Sequence, residues 1–164
     1  MRQTRLRIDF PGPPQKDPEM MSTSRLTLLA ATALLAGRIA PLLQPGYAGA
    51  LWGDLGAGKT TLARDILRAL GVTEDVPSPT FTLVQTYETP GLTVAHYDLY
   101  RLKSSRELEE LGFAEALDDG AALVEWPERA PEYLPDETLH LRLRLEEDIR
   151  RVKITGPERW ASIA

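Results

Sequence analysis

Residues 53–60 read Gly-Asp-Leu-Gly-Ala-Gly-Lys-Thr and match G-x-x-x-x-G-K-[ST], the pattern of a phosphate-binding loop. The glycines of this stretch have no Cβ, so the backbone can adopt positive φ and approach a phosphate closely. The loop N–H groups then point inward at a helix N-terminus and form an anion-binding nest. Lys59 would place its charge on the β- and γ-phosphates, and the Thr60 hydroxyl would ligate Mg²⁺.

The motif stands in the context that it requires. Residues 46–52 are a short, largely apolar run that is typical of a buried strand. Residues 61–70 carry apolar side chains at helical spacing, and Gly71 follows where a helix commonly ends. The sequence therefore predicts strand, loop and helix in that order. The predicted nucleotide-binding residues are Asp54, Gly56, Ala57, Gly58, Lys59, Thr60 and Thr61.

A phosphate loop of this kind needs an acidic residue at the end of a second buried strand to complete the Mg²⁺ shell. Glu125 follows the uninterrupted apolar run 121–124 and is expected at a strand end beside the loop. Asp98 follows the more mixed run 94–97. We assign Glu125 to the metal together with Thr60, which leaves Asp98 to orient water or act as a base.

Seven further side chains admit more than one interpretation. Thr80 and Thr82 lie where switch segments sense a γ-phosphate, but they could be ordinary strand threonines. His96 is isolated, which favours a packing or hydrogen-bonding role over metal ligation. Trp126 belongs either to the core or to an exposed stacking surface. A small basic group forms a solvated face, or it neutralises phosphate charge or contacts an acidic partner. Its members are Arg101, Lys103 and Arg106.

Composition narrows the class of protein. The 164 residues predict one domain, and 43% hydrophobic residues are ordinary for a globular chain. A net charge of -5 argues against strong direct binding of nucleic acid. The chain has no cysteine, which excludes disulfides and thiolate zinc sites. It also has no asparagine, so it lacks the guanine-reading N-K-x-D of GTPases, and ATP is the nucleotide favoured by elimination.

The sequence carries no apolar run long enough to span a membrane and no signal-peptide core, so the cytoplasm is expected. Proline-rich residues 1–22 predict a flexible N-terminal extension. Residues 23–158 are expected to form the ATPase domain, with 159–164 as a C-terminal tail. The predicted strands are 25–29, 46–52, one that starts within 78–87, 92–99, 121–124, 138–145 and 151–155. The predicted helices are 32–43, which Pro41 should kink or end early, 61–70 and 106–117.

Four sequence blocks together resemble the TsaE (YjeE) family, the bacterial ATPases needed for the threonylcarbamoyl modification of adenosine in tRNA. The blocks are Gly-Asp-Leu-Gly-Ala-Gly-Lys-Thr-Thr (53–61), Ser-Pro-Thr-Phe-Thr-Leu-Val (78–84), His-Tyr-Asp-Leu-Tyr-Arg-Leu (96–102) and Val-Glu-Trp-Pro (124–127). The resemblance extends over residues 24–155, and neither the N-terminal 22 residues nor the C-terminal tail has a recognised counterpart.

The resemblance implies an α/β fold: a single P-loop NTPase-like domain whose mostly parallel central sheet is flanked by helices and carries an added antiparallel hairpin part. It implies Mg²⁺ on Thr60 and Glu125, a role for Asp98 in hydrolysis, and Thr80 in a switch-like segment. It also implies two partner proteins, the transferase subunit of the modification complex and its non-catalytic paralogue. The ATPase would reset that complex rather than transfer the group itself. The alternatives from the residues are a small-molecule kinase and a non-hydrolysing, nucleotide-gated binding module.

Overall fold

The computed structural model describes residues 4–9, 30–146 and 149–163, and this part of the chain contains one seven-stranded sheet of order β1-β7-β6-β2-β5-β4-β3. Strands β6, β2, β5 and β4 are parallel to one another, whereas β3 at one edge and β7 and β1 at the other are antiparallel to their neighbours. The strands are β1 Thr4–Asp9, β2 Ala48–Trp52, β3 Val84–Thr89, β4 Leu92–Asp98, β5 Gly120–Glu125, β6 Leu139–Glu146 and β7 Ile149–Gly156.

Helices cover both faces of this sheet, which confirms the predicted α/β fold class. The α-helices are α1 (residues 30–39), α2 (Lys59–Ala69), α3 (Glu107–Glu110) and α4 (Phe113–Asp119). Buried side chains of α1 and α2 form one apolar core, and those around α3 and α4 form a second core on the opposite face. Helix α1 ends before a 3-10 turn at Ala40–Leu42, as the proline there predicted. Among the described residues, no helix is both long enough and apolar enough to cross a membrane.

The single helix predicted over residues 106–117 is wrong, because the chain forms two short helices there. Gly112 has φ 71, in the left-handed region, and it separates α3 from α4. Its N–H donates to the Glu109 carbonyl, and its own carbonyl accepts the first bond of the next helix from Ala116. A left-handed residue ends one helix, and glycine adopts that conformation with little cost.

The strand expected to start within 78–87 begins later than Phe81. The strand starts at Val84, and Thr80 to Leu83 form a turn that the Leu83 N–H closes onto the Pro79 carbonyl at 2.7 Å. Leu83 has φ 66, which no regular strand residue adopts. The Phe81 side chain is 81% exposed, so the apparent alternation of this stretch does not reflect a buried face.

Both chain ends differ from expectation where they are described. Within the predicted flexible extension, Thr4–Asp9 is a strand that pairs with β7, from Thr4 opposite Gly156 to Asp9 opposite Arg151. The rest of that extension and the predicted strand 25–29 lie outside the described residues. At the other end, Glu158–Ile163 is a 3-10 helix rather than a separate tail. Its two buried apolar side chains pack in the core under β2 and β6. They are Trp160 and Ile163.

We predict that Trp160→Ala lowers the free energy of unfolding by about 3–5 kcal/mol, the usual cost of removing a buried aromatic ring. The Trp160 ring lies 5.6 Å from the Tyr47 ring, and its Nε1 donates to the Glu137 carbonyl at 3.2 Å. Urea denaturation measures the difference, with the exposed Ser162→Ala in the same turn as the control. A loss below about 1 kcal/mol would show that the turn adds no more than a surface segment does.

Candidate functional site

The loop between β2 and α2 has the conformation that the motif predicted. Gly53, Gly56 and Gly58 all have positive φ, at 146, 81 and 102 degrees. A Cβ on Gly53 would lie 2.6 Å from the Leu143 carbonyl oxygen, so no other residue fits against β6 there. Gly58 is the N-cap of α2, and the loop amides therefore precede a helix N-terminus, where anions bind readily.

Lys59 folds back over this loop. Its side chain is buried, and the ammonium donates to the Asp54 carbonyl at 2.8 Å and to the Gly53 carbonyl. Burial lowers the pKa of Lys59, and the negative charge of Glu125 opposes that shift. None of the described residues forms a salt bridge with this ammonium within 4 Å. The charge is therefore held at the loop and available to an anionic ligand.

Trp126 covers Lys59 from the other side. The Lys59 Nζ lies 4.0 Å from the centroid of the Trp126 ring, and the Tyr100 ring lies 4.8 Å from the same indole. Trp126 has φ 56, and a residue other than glycine in this region carries roughly 1–3 kcal/mol of strain. Trp126 is half-buried and packs against the second apolar core as well as over Lys59, so it combines the two interpretations from the sequence.

Glu125 joins two elements of the site. Its carboxylate is 2% exposed, and one oxygen (Oε2) accepts a hydrogen bond from the Thr60 hydroxyl at 2.9 Å. The other oxygen (Oε1) lies 2.8 Å from Nε2 of the fully buried His96. The structure thus places the predicted metal pair, Thr60 and Glu125, side by side. A hydroxyl and a carboxylate supply the oxygen ligands that Mg²⁺ prefers.

His96 orients that carboxylate. Among the described residues its Nδ1 has no hydrogen-bond partner, so the proton is assigned to Nε2, where a carboxylate accepts it. This is the hydrogen-bonding role that the sequence favoured. The bond restricts rotation of Glu125 and keeps its second oxygen directed at Thr60. Sequence reasoning did not identify the pairing, because only the register of β4 beside β5 brings the two side chains together.

Asp98 stands directly beside Glu125 in the register of the two parallel strands. Its carboxylate is 4% exposed and accepts hydrogen bonds from the Thr80 hydroxyl at 3.0 Å and from the Tyr100 N–H at 3.0 Å. Ser78 bonds Thr80 at 2.7 Å and extends the network. The turn before β3 therefore touches the acidic residue through Thr80. Thr82, the other threonine of that turn, is exposed, and no hydrogen bond among the described residues joins it to Asp98 or Glu125.

These groups line a cleft of about 270 Å³ at the C-terminal ends of β2, β4 and β5. Parallel α/β sheets bind ligands at this edge. The cleft contains Gly56, Gly58, Lys59, Thr60, Thr61, Thr80, Asp98, Glu125 and Trp126. Two other predicted loop residues, Asp54 and Ala57, line a second, larger cleft of about 680 Å³ beside the same loop. The basic group predicted as a possible phosphate neutraliser is exposed and lines neither cleft.

The sequence analysis did not identify one cation that lines the cleft. Arg150, from β7, lines the same 270 Å³ cleft. The alternation of β7 could have identified it. Val152 and Ile154 were expected to point inward, and Arg150 lies on the same face because it is two and four residues away from them. Register alone shows that this end of β7 reaches the loop.

Comparison with known proteins identifies the family. A family model described as "Threonylcarbamoyl adenosine biosynthesis protein TsaE" matches residues 26–153. A Rickettsia felis protein named tRNA threonylcarbamoyladenosine biosynthesis protein TsaE is 43% identical over 122 residues, covering 74% of this chain and 71% of the relative. A Streptomyces coelicolor protein of the same name is 39% identical over 137 residues, covering 78% and 93%.

A comparison with solved structures agrees with the family match. A crystal structure of Bacillus subtilis YdiB superimposes with a TM-score of 0.69 at 29% sequence identity, covering 99% of this chain and 93% of that one. The family match extends over all four blocks from which the resemblance was inferred. It contains β2 to β6 and the site built on them. The chain therefore belongs to the TsaE family of threonylcarbamoyl adenosine biosynthesis proteins.

Proposed function

We propose that this chain is a Mg²⁺-dependent ATPase that serves as an accessory subunit in the tRNA N6-threonylcarbamoyladenosine modification. The observation that carries the proposal is the convergence on one cleft of three functional groups. These are the enclosed ammonium of Lys59, the adjacent oxygens of Thr60 and Glu125, and the buried Asp98 with the Thr80 hydroxyl that donates to it. This set meets the requirements of phosphoryl transfer from a nucleotide to water.

In the proposed reaction the loop N–H groups and Lys59 hold the ATP phosphates. Thr60 and Glu125 would hold Mg²⁺, which supplies charge neutralisation at the phosphates when bound. Asp98 orients a water molecule whose oxygen attacks the γ-phosphorus. The bond from that phosphorus to the β–γ bridging oxygen breaks, and the electron pair leaves with ADP. The water proton passes to Asp98 or to the departing phosphate, so the products are ADP and inorganic phosphate.

The accessory role rests on the family rather than on the cleft. The relatives are named for biosynthesis of the modified nucleoside, and the resemblance implies the transferase subunit and its paralogue as partners. The net charge of -5 suits a subunit that contacts protein better than one that holds tRNA by itself. Leu55 in the loop and Phe81 beside Thr80 are 86% and 81% exposed, and such apolar side chains commonly mark contact surfaces.

The test is ATP hydrolysis by the chain alone and then with the two presumed partner proteins, each with and without tRNA. We expect slow hydrolysis alone and a rise when the partners are added. The Lys59→Ala variant in the same mixtures corrects for contaminating ATPase. Rates that are indifferent to the partners, or hydrolysis absent throughout, would refute the accessory ATPase. Phosphate transfer to a metabolite would favour a kinase, and tight ATP binding without turnover would favour a gated binding module.

We predict that His96→Leu raises the Mg²⁺ concentration for half-maximal hydrolysis by about 10-fold or more, because groups that orient metal ligands are worth roughly 10–100-fold in metal affinity. His96→Gln should recover part of the loss, since its amide N–H can also donate to Glu125. A Mg²⁺ titration of the hydrolysis rate measures the effect. Equal requirements for Mg²⁺ in wild type and His96→Leu would show that the histidine only packs the sheet.

A further inference from the structure

Arg150 lies against the phosphate loop although it comes from the antiparallel edge of the sheet. Val152 and Ile154 of β7 are buried at 2% and 3%, and Arg150 shares their face because strand side chains alternate. A Cβ built on Gly58 would lie 3.2 Å from Nη1 and 3.4 Å from Cζ of this arginine. The guanidinium therefore packs directly on the N-cap glycine of α2, in space that a larger residue would occupy.

The Arg150 guanidinium has no salt-bridge partner within the described part of the chain. Among the described residues its Nε atom is buried without a hydrogen bond. The next residue differs, since Arg151 pairs with Glu146 at 2.8 Å. A buried donor without an acceptor is unfavourable, so the position of this Nε beside a cleft favours a ligand that supplies the acceptor.

The anionic ligand expected in this cleft is the phosphate chain of a nucleotide. Arg150 shares the cleft with Lys59, Thr60 and Thr61, the side chains at the start of α2. Two cations facing one small cleft repel each other until an anion enters between them. A planar guanidinium can donate two parallel hydrogen bonds to phosphate oxygens, whereas the lysine acts as a point charge.

We propose that Arg150 binds the nucleotide phosphates as a second cation of the site, supplied in cis by β7. The inference rests on the proposed function for its ligand, and it extends the site from the parallel strands to the β6–β7 pair. The register that sets Leu145 opposite Arg150 determines where on the loop the guanidinium lies. This residue stabilises the bound phosphates and is not assigned a proton-transfer role.

The test measures the binding of Mg²⁺-ATP and of inorganic tripolyphosphate by titration calorimetry, at low and high salt. Arg150→Gln should weaken both ligands by about 10- to 100-fold, the value of a charge-assisted hydrogen bond expressed as affinity. Arg150→Lys should fall between wild type and Arg150→Gln. Because salt screens charge, the ratio of wild-type to variant affinity should shrink at high salt. Lys153→Gln is the matched control, an exposed cation on the opposite face of the same strand.

Thermal unfolding of each variant separates binding from packing. Wild-type affinity in Arg150→Gln would overturn the inference. So would equal losses in Arg150→Gln and Arg150→Lys that are independent of salt and accompany a lowered Tm, because that pattern describes packing. Arg150-dependent tripolyphosphate binding by a chain that never hydrolyses ATP, even with its partners, would uphold the inference and refute the proposed function. A wild-type chain that binds neither ligand would refute both.

Discussion

Replacement of Lys59 by methionine is expected to reduce kcat/KM for ATP hydrolysis by at least about 100- to 1,000-fold, the usual cost of one preorganised donor to the reacting phosphate. Methionine has nearly the length of lysine and is likewise unbranched, so it can fill most of the space of the lysine stem. It removes only the ammonium that the loop carbonyls enclose. The loss should therefore be chemical and should not come from a cavity in the fold.

A measurement of stability distinguishes loss of the ammonium charge from loss of packing in the fold. Burial lowers the pKa of Lys59, which means that the surroundings disfavour its charged form when no anion is present. Removing the charge relieves that cost while it also removes two hydrogen bonds, so we expect the free energy of unfolding to change by less than about 1 kcal/mol. Steady-state kinetics and urea denaturation are the measurements, with the exposed Lys153→Met as control. Hydrolysis by Lys59→Met at the wild-type rate would remove this lysine from the proposed mechanism.

Asp98→Asn and Glu125→Gln are expected to fail in different ways, although their side chains are neighbours in the sheet. Asp98→Asn should lower kcat by about 10²–10⁴-fold, the range for loss of a general base, with nucleotide binding largely intact. The asparagine keeps an oxygen that can accept from the Tyr100 N–H, so the local turn should persist. Glu125→Gln should instead raise the Mg²⁺ requirement, because a neutral amide is a weaker ligand than a carboxylate.

The measurements are a Mg²⁺ titration of the rate and direct titration of nucleotide binding for both variants. A variant of Thr60 checks the assignment of Glu125, since the Thr60 hydroxyl donates to Glu125 and belongs to the same proposed metal pair. Thr60→Val should therefore resemble Glu125→Gln and not Asp98→Asn. If Asp98→Asn abolished the Mg²⁺ dependence while Glu125→Gln retained it, the roles of the two acids would be reversed.

The local sequence pattern was sufficient to predict the phosphate loop and the strand and helix on either side of it. A glycine-rich loop needs its neighbours to be a strand and a helix, and apolar runs in residues 46–52 and 61–70 meet that need within a few positions. The end of the apolar run 121–124 likewise identified Glu125, because a buried parallel strand delivers its last residue to the edge where the loop lies. The family resemblance used the same blocks, and the family match confirmed it.

Features that depend on one residue's backbone conformation or on a short terminal segment were missed. The helix break at Gly112 and the late start of β3 at Val84 each follow from a left-handed residue that periodicity does not reveal. Strand Thr4–Asp9 does alternate Leu6 and Ile8 with charged residues, a signal that was missed beside the prolines that follow, and the turn Glu158–Ile163 is too short to carry a pattern. They are ordered by contacts with β7 and with the core of distant elements.

The amino-acid sequence by itself determined the phosphate loop, the strand and helix around it and the two acids beside it, because each is encoded by residues close together in the chain. Only the tertiary structure decided that His96 supports Glu125 and that Arg150 reaches Gly58. The first pairing depends on the register of β4 with β5, and the second on the register of β7 with β6. Register between strands distant in the chain depends on the packing of the sheet, so the residues around His96 and Glu125 carry no local signal for their pairing. The alternation of β7 indicates the face on which Arg150 lies but not its neighbour.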